Sequence, residues 1–204
     1  MLGQTRSRRT RQNLIRTAIQ LWGRQDFDEL SVDAIVAAAG VSKGTFYYHF
    51  RRKEDLLLEL GWATVDRVGA EAEESYREHR DLHEAIGVAM AGLVRRITAM
   101  PRGAVARTIQ EFSFRRLVEP SRSDLQSGDS GRHTFLSELL HAAQESGDIP
   151  GRVDVDEVAD VVNFTVVQTV YRAMTSGIDD DLERTLRRRV GLVLDGMRDT
   201  YAPH

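Results

Sequence analysis

Residues 31–58 constrain the fold most, because they carry the punctuation of two short helices joined by a tight turn. Ser31 can cap the first helix, since its hydroxyl accepts an amide hydrogen that the first turn leaves unpaired. Gly40 stands where the chain leaves that helix, and a left-handed backbone there costs glycine little. Val41 fills the corner, and Ser42 can cap the second helix. The stretch predicts a helix-turn-helix whose second helix has a size suited to a DNA major groove.

The outer surface of the second helix favours contact with DNA. Gly44 removes a side chain near the helix start, so bases can approach closely, and Thr45 offers a methyl and a hydroxyl to base edges. Polar-tipped rings and two lysines can reach phosphate oxygens. The predicted DNA contacts are Ser31, Ser42, Lys43, Gly44, Thr45, Tyr47, Tyr48, His49 and Lys53. The alternative is ordinary packing of three successive aromatic rings, which the glycine corner and basic flanks disfavour.

The segment AAGVSKGTFYYHFRRKEDLL resembles the signature of the TetR family of bacterial transcriptional regulators, and the resemblance extends over residues 8 to 60. It implies an all-α homodimer with an N-terminal three-helix DNA-binding domain. It also implies a C-terminal helical domain for ligand binding and dimerisation. Val36 departs from the pattern, since such proteins usually carry alanine there. Its extra methyls should press on the second helix without changing the assignment.

Charge is divided unevenly along the chain. The net charge of −3 alone argues against a nucleic-acid partner. Residues 1–53, however, carry ten Lys or Arg against four Asp or Glu, whereas residues 54–204 carry 18 against 27. A basic end on an acidic body is typical of a DNA-binding domain attached to something else. We expect the DNA-binding domain over residues 1–53 and the ligand-binding and dimerisation domain over residues 54–204.

Several classes of protein are disfavoured by what the sequence lacks. The absence of cysteine excludes a disulfide framework, a thiol nucleophile and a Cys-ligated metal. The N-terminus has no apolar signal region, and the longest uncharged run, residues 161–171, is too short to span a bilayer. We therefore expect a cytoplasmic protein with no membrane partner.

Catalytic and metal sites are not indicated by the six histidines. His79 and His83 are four residues apart, but we expect Asp81 to start a new helix between them. His133 and His141 lack a nearby carboxylate or third ligand. No nucleophile elbow, phosphate-cradling glycine loop or dinucleotide fingerprint is present. We expect no enzyme, no cofactor and no metal; an enzyme and a non-specific nucleoid protein are the alternative classes.

The second half of the chain predicts helices that need a partner. Residues 53–78 indicate a long helix, the only continuous link expected between the two domains. Residues 153–174 hold eight valines, a strand-like composition, yet their length and lack of strict alternation favour a helix. The apolar residues of this predicted helix lie all around it. The last helix has an apolar stripe: Leu182, Leu186, Val190, Val193 and Met197. The resemblance implies that these two helices pair with their copies as a four-helix bundle; the alternative is that they cover only the body's own core.

The body also suits a sensor, because an apolar cavity with a few polar groups between its helices would hold an organic ligand. The candidate walls and hydrogen-bond partners are Met90, Thr108, Phe112, Asn163, Phe164, Gln168 and Tyr171. A core or satisfied polar role is the alternative for each. The expected function is a ligand-responsive transcriptional regulator, a homodimer that represses from a palindromic operator in double-stranded DNA. A small-molecule effector releases it, with activation as the alternative.

Overall fold

The computed structural model describes residues 2–25, 27–118, 136–177 and 181–200. Within them the chain forms nine α-helices and no β-strand, which confirms the all-α fold class. The helices are α1 Leu2–Trp22, α2 Val32–Ala39, α3 Lys43–His49, α4 Asp55–His79, α5 Leu82–Thr98, α6 Arg102–Val118, α7 Ser137–Glu145, α8 Val155–Ser176 and α9 Leu182–Thr200. None of these helices is both long enough and apolar enough to cross a membrane.

A small core lies between α1, α2 and α3. Its members are apolar side chains from one face of each helix and from the loop before α2. They are Leu14, Ala18, Leu30, Ile35, Val36, Phe46, Phe50 and Leu56. Val36 fits with 8% of its surface exposed. Because Leu56 of α4 also belongs to this core, the long helix is built into the N-terminal domain, and a domain boundary at residue 53 stays a prediction.

A larger core is shared by α4 to α9. The valine-rich segment is helical as predicted, because Asp154 caps α8: its carboxylate accepts hydrogen bonds from the amides of Asp156 (3.1 Å) and Glu157 (3.0 Å). One face of α8 is buried, with Val162 and Val166 in the core. Packing against this core, and not intrinsic propensity, therefore decides the conformation of the segment.

The apolar stripe of α9 faces the subunit's own core. The alternative interpretation is thus the right one for Leu182, Leu186, Val190 and Met197, which are buried, and for Val193, which packs against them. A different set of apolar side chains stays in solvent: Val161 is 47% exposed, Phe164 64% and Leu192 61%. Any partner for these helices must be sought on that exposed face.

Candidate nucleic-acid interface

The helix-turn-helix is fixed by two capping hydroxyls and one left-handed residue. The Ser31 hydroxyl accepts a hydrogen bond from the amide of Ala34 at 3.1 Å, and the Ser42 hydroxyl accepts one from the amide of Thr45 at 3.1 Å. Gly40 closes α2 with φ +67°, a conformation that favours glycine. Both serines are exposed, but their hydroxyl groups are engaged in capping in this state.

The outer side of α3 presents rings and open space to solvent. Tyr47 is 51% exposed and Tyr48 is 79% exposed, whereas the preceding residue, Phe46, is fully buried in the small core. At Gly44 an added Cβ would meet only the capping hydroxyl, at 3.8 Å. The Thr45 hydroxyl hydrogen-bonds the same capping oxygen at 2.8 Å. The arrangement is an exposed helix face with no side chain at its second position, which lets a duplex approach closely.

The ionisable groups of α3 carry little uncompensated charge. The Lys43 ammonium lies 2.9 Å from one Asp33 carboxylate oxygen and 3.0 Å from the other. This hydrogen bond and the carboxylate charge raise the pKa of Lys43. His49 is half-buried, and burial together with the charge of Arg11 lowers its pKa below 6.5. His49 is therefore neutral at neutral pH, and α3 offers phosphates no unpaired cation.

Lys53 makes contacts within the N-terminal domain, and its predicted phosphate contact stays a prediction. Its ammonium donates to the carbonyls of Phe27 (2.8 Å), Asp28 (3.1 Å) and Leu30 (3.2 Å), and it lies 4.5 Å from the centre of the Phe27 ring. An ammonium has three donors, so all of them hold the loop between α1 and α2. This role is not visible in the sequence, because the acceptors are backbone groups more than twenty residues away.

A second connection between the N-terminal domain and the body is formed by α6. Trp22 stacks on Phe27 with ring centroids 4.0 Å apart, and both are buried with Leu57 and Ala104 in one cluster. Ala104 belongs to α6, so this body helix touches the loop between α1 and α2. The expectation that the long helix is the only link is therefore wrong.

Charged contacts reinforce this second connection. Arg52, just after α3, donates to Glu111 of α6 at 2.5 Å, and the Glu111 side chain is only 10% exposed. Arg107 of α6 lies 3.5 Å from Asp28 in the loop between α1 and α2. Both ends of the helix-turn-helix are thus tied to α6. Sequence reasoning missed these residues because it assigned α6 to the body alone.

The helices α4 and α6 approach each other closely at Gly61. The Trp62 and Phe112 rings meet edge to face, 4.9 Å apart. A Cβ added to Gly61 would lie 2.2 Å from the nearest Phe112 carbon, so only glycine fits here without a shift. Phe112, predicted as a ligand wall, therefore lies at the junction between α4 and α6.

The seven predicted ligand residues are not gathered around one cavity. Met90 is fully buried in the body's core. The Thr108 hydroxyl donates to the Ala104 carbonyl in its own helix at 2.8 Å, and the Tyr171 hydroxyl accepts from Gln110 at 3.0 Å. These contacts correspond to the core and satisfied-polar alternatives.

The remaining predicted ligand residues lie on α8. Asn163 is half-buried, whereas Phe164 and Gln168 are exposed. Phe164 and Gln168 are one helical turn apart, opposite the buried face that carries Val162 and Val166, so the helical period turns them outward. Neither contributes to a cavity inside the subunit. Both belong to the same exposed side of α8 as Val161.

One open groove of about 560 Å³ lies elsewhere, between α1 and α4. It is lined by Arg8, Arg11, Gln12, Ile15, Arg16, Ile19, Gln20, Glu59, Leu60 and Ala63. None of the predicted ligand residues lines it. Within the described part of the chain no three His, Cys, Asp or Glu side chains lie close enough to hold a metal; His133 falls outside that part.

Comparison with known proteins places the helix-turn-helix in a family. Residues 14–60 match the model of the bacterial regulatory proteins of the tetR family. The HTH-type transcriptional regulator AcrR of Shigella flexneri is 35% identical over 60 residues, 29% of this chain and 28% of that protein. The fatty acid metabolism regulator protein of Bacillus subtilis is 21% identical over 186 residues, 91% of this chain and 94% of the relative. The match at 35% identity thus spans only about a quarter of the length of the Shigella protein.

The fold of the whole chain is also known from a solved structure. A crystal structure of Thermus thermophilus FadR, a TetR family transcriptional repressor in complex with lauroyl-CoA, is similar with a TM-score of 0.72. The identity is 21%, over 95% of this chain and 99% of that one, so this likeness bears on the fold. The family model and the curated relatives meet on the helix-turn-helix, so this segment is similar to that of the tetR family of bacterial regulatory proteins.

Proposed function

We propose that this protein is a DNA-binding transcriptional repressor that acts in the cytoplasm from a palindromic operator and is released by a small-molecule effector. The observation that carries the proposal is the capped α3, with Tyr47 and Tyr48 exposed beside the open Gly44. A helix of this kind reads base edges in the major groove. The division into a DNA-binding domain over residues 1–53 and a ligand-binding and dimerisation domain over residues 54–204 is part of the proposal.

The DNA-binding part is tested by selecting duplexes from a random pool with the wild-type protein. An enriched inverted repeat is expected. Thr45→Ala should then change the preference among half-site variants by about 1–3 kcal/mol at one base pair if the methyl or hydroxyl reads a base. Thr98→Ala, the same exchange at an exposed position of α5, is the matched control and should leave the preference unchanged. A pool without enrichment would contradict the proposal.

The homodimer is proposed to form on the exposed face of α8 and α9. Val161 and Phe164 are three residues apart and share a helix face, and Leu192 on the neighbouring α9 is also exposed. Exposed large apolar side chains on two packed helices favour a four-helix bundle with a second copy. Two recognition helices on one face of DNA must lie about 34–36 Å apart or a multiple of it, and a dimer sets this separation.

The effector is proposed to be a small, largely apolar molecule that enters the body between its helices. The body's core consists largely of apolar side chains, and the similar Thermus protein was solved with lauroyl-CoA. The ligand residues Met90, Thr108, Phe112, Asn163, Phe164, Gln168 and Tyr171 stay a prediction. Of these, Phe112 has the best-placed contact, because it touches α4 at Gly61.

Release is proposed to pass through both α4 and α6. A ligand that shifts α6 changes the Arg52–Glu111 pair and the Trp22–Ala104 contact together, and so tilts α3. The ligand need only bind the non-docking state about a hundredfold better, about 2.7 kcal/mol. Linkage requires that operator DNA weaken effector binding by the same factor. Calorimetry of the effector with and without operator tests this, and equal affinities would rule the mechanism out.

A further inference from the structure

An ion pair joins the two helices of the helix-turn-helix on their exposed side. Lys43 is the first residue of α3, and Asp33 lies in the first turn of α2. The ammonium is 2.9 Å and 3.0 Å from the two carboxylate oxygens. The side chains are 53% and 70% exposed, so both are accessible to a docking duplex. Such an exposed pair contributes little to folding stability, and its main effect is on the charge of the surface.

The charge of α3 itself depends on Lys43. The chain has two lysines, and the ammonium of the other, Lys53, is held by three carbonyls of the loop between α1 and α2. His49, at the end of α3, is neutral at neutral pH for the reasons given above. The one formal cation on α3 is therefore the group that Asp33 neutralises.

We infer that Asp33 is a positioning residue that limits DNA affinity by holding the Lys43 ammonium. The inference rests on the proposed function, in which α3 faces DNA. A phosphate that approaches Lys43 meets the Asp33 carboxylate on the same ammonium, and the two anions repel each other. Lys43 then releases fewer counterions than an unpaired lysine would, and counterion release sets much of the affinity for DNA.

The limit acts on every DNA sequence alike. Phosphates are the same along all duplexes, whereas discrimination comes from base-edge contacts by uncharged groups such as Thr45 and Tyr47. Asp33 therefore weakens operator and non-operator binding by a similar factor and leaves their ratio unchanged. Because the regulator binds DNA less tightly, an effector with a smaller preference for the non-docking state is enough to release it.

The test measures the salt dependence of DNA binding for Asp33→Asn by fluorescence anisotropy. The probes are the duplex selected by the wild-type protein and an unrelated duplex. We expect the variant to bind both about fivefold more tightly at about 0.15 M salt, with a logarithmic salt slope steeper by about 0.9. Asp33→Glu should restore wild-type behaviour. Asp66→Asn, an exposed position on α4, is the charge-matched control and should leave the slope unchanged.

A double-mutant cycle identifies Lys43 as the group through which Asp33 acts. Lys43→Gln should weaken binding, because the Asp33 carboxylate is then unpaired and repels phosphates, and the double variant with Asp33→Asn should bind like wild type. Asp33→Ser serves as a second neutral variant if the asparagine protein folds poorly by circular dichroism. An unchanged slope for the neutral variants, or a double variant that binds more tightly than wild type, overturns the inference. Failure of the wild type to bind any duplex instead refutes the proposed function.

Discussion

The junction of α4 and α6 leaves no room for one methyl group, and this gives a sharp test of the packing. In Gly61→Ala the new Cβ would lie 2.2, 2.9 and 3.2 Å from three carbons of Phe112, so the ring must retreat by more than 1 Å to reach the 3.4 Å of ordinary contact. Gly69 lies on the same helix with nothing within 4 Å of its added Cβ. The two glycines therefore form a matched pair.

The expected magnitudes follow from two opposing effects. Replacing glycine by alanine inside a helix stabilises it by about 1 kcal/mol, and Gly69→Ala should show this gain alone. At Gly61 the overpacking cost of about 1–3 kcal/mol acts against it. We expect Gly61→Ala to range from neutral to about 2 kcal/mol less stable than wild type. The two variants should differ by about 1–3 kcal/mol.

Urea unfolding at matched protein concentration measures both variants, because dimerisation would make the apparent stability concentration-dependent. Tryptophan fluorescence is a suitable signal, since Trp62 packs against Phe112 with ring centroids 4.9 Å apart. Adding Phe112→Leu to Gly61→Ala should recover part of the loss by removing the ring. If Gly61→Ala is as stable as Gly69→Ala, the close approach of α4 and α6 is refuted.

Three further predictions concern charge, pH and assembly. Lys53→Met should lower the free energy of unfolding by about 1–3 kcal/mol, because loop carbonyls lose their donors, while the salt slope of DNA binding stays at the wild-type value. His49 has a folded-state pKa below its unfolded value of 6.5, so the unfolded state binds the proton first and acidification through 6.5 costs stability. The midpoint temperature of thermal unfolding should thus fall more between about pH 7.5 and about pH 5.5 in wild type than in His49→Gln. Equal losses in the two proteins would contradict this prediction. Phe164→Asp or Leu192→Asp should give a folded monomer in sedimentation with weaker operator binding, whereas Leu186→Asp should unfold the subunit because Leu186 is fully buried; intact dimers in both exposed-site variants would place the interface elsewhere.

The helix-turn-helix was predictable because its determinants are local. Ser31, Gly40 and Ser42 act on amides and dihedral angles within a few residues of themselves, so their identity and spacing suffice. The start of α8 is likewise local, because the Asp154 carboxylate accepts from the amides of Asp156 and Glu157. Contacts that join distant parts of the chain were not predictable in this way.

Several contacts of the fold were not predictable because they depend on tertiary packing. The sequence does not show that carbonyls of a distant loop accept from the Lys53 ammonium. The stripe on α9 looked like an interface because periodicity shows that a face is apolar and not what covers it. For the same reason the sequence does not show that the face of α8 with Phe164 is exposed within the subunit. Sequence periodicity shows which face of a helix is apolar, but tertiary packing determines what that face contacts.

The Arg52–Glu111 pair has a consequence for engineering. The residues that would read DNA, such as Thr45 and Tyr48, lie on α3, whereas the contact with the body lies just beyond it at Arg52. Retargeting to a new operator can therefore be attempted on the outer face of α3 without disturbing the contact between Arg52 and Glu111. A chimera that transfers residues 1–53 to another body separates Arg52 from Glu111 and Trp22 from Ala104. In such a fusion, the residues on both sides of these two contacts will need redesign before DNA binding can respond to an effector.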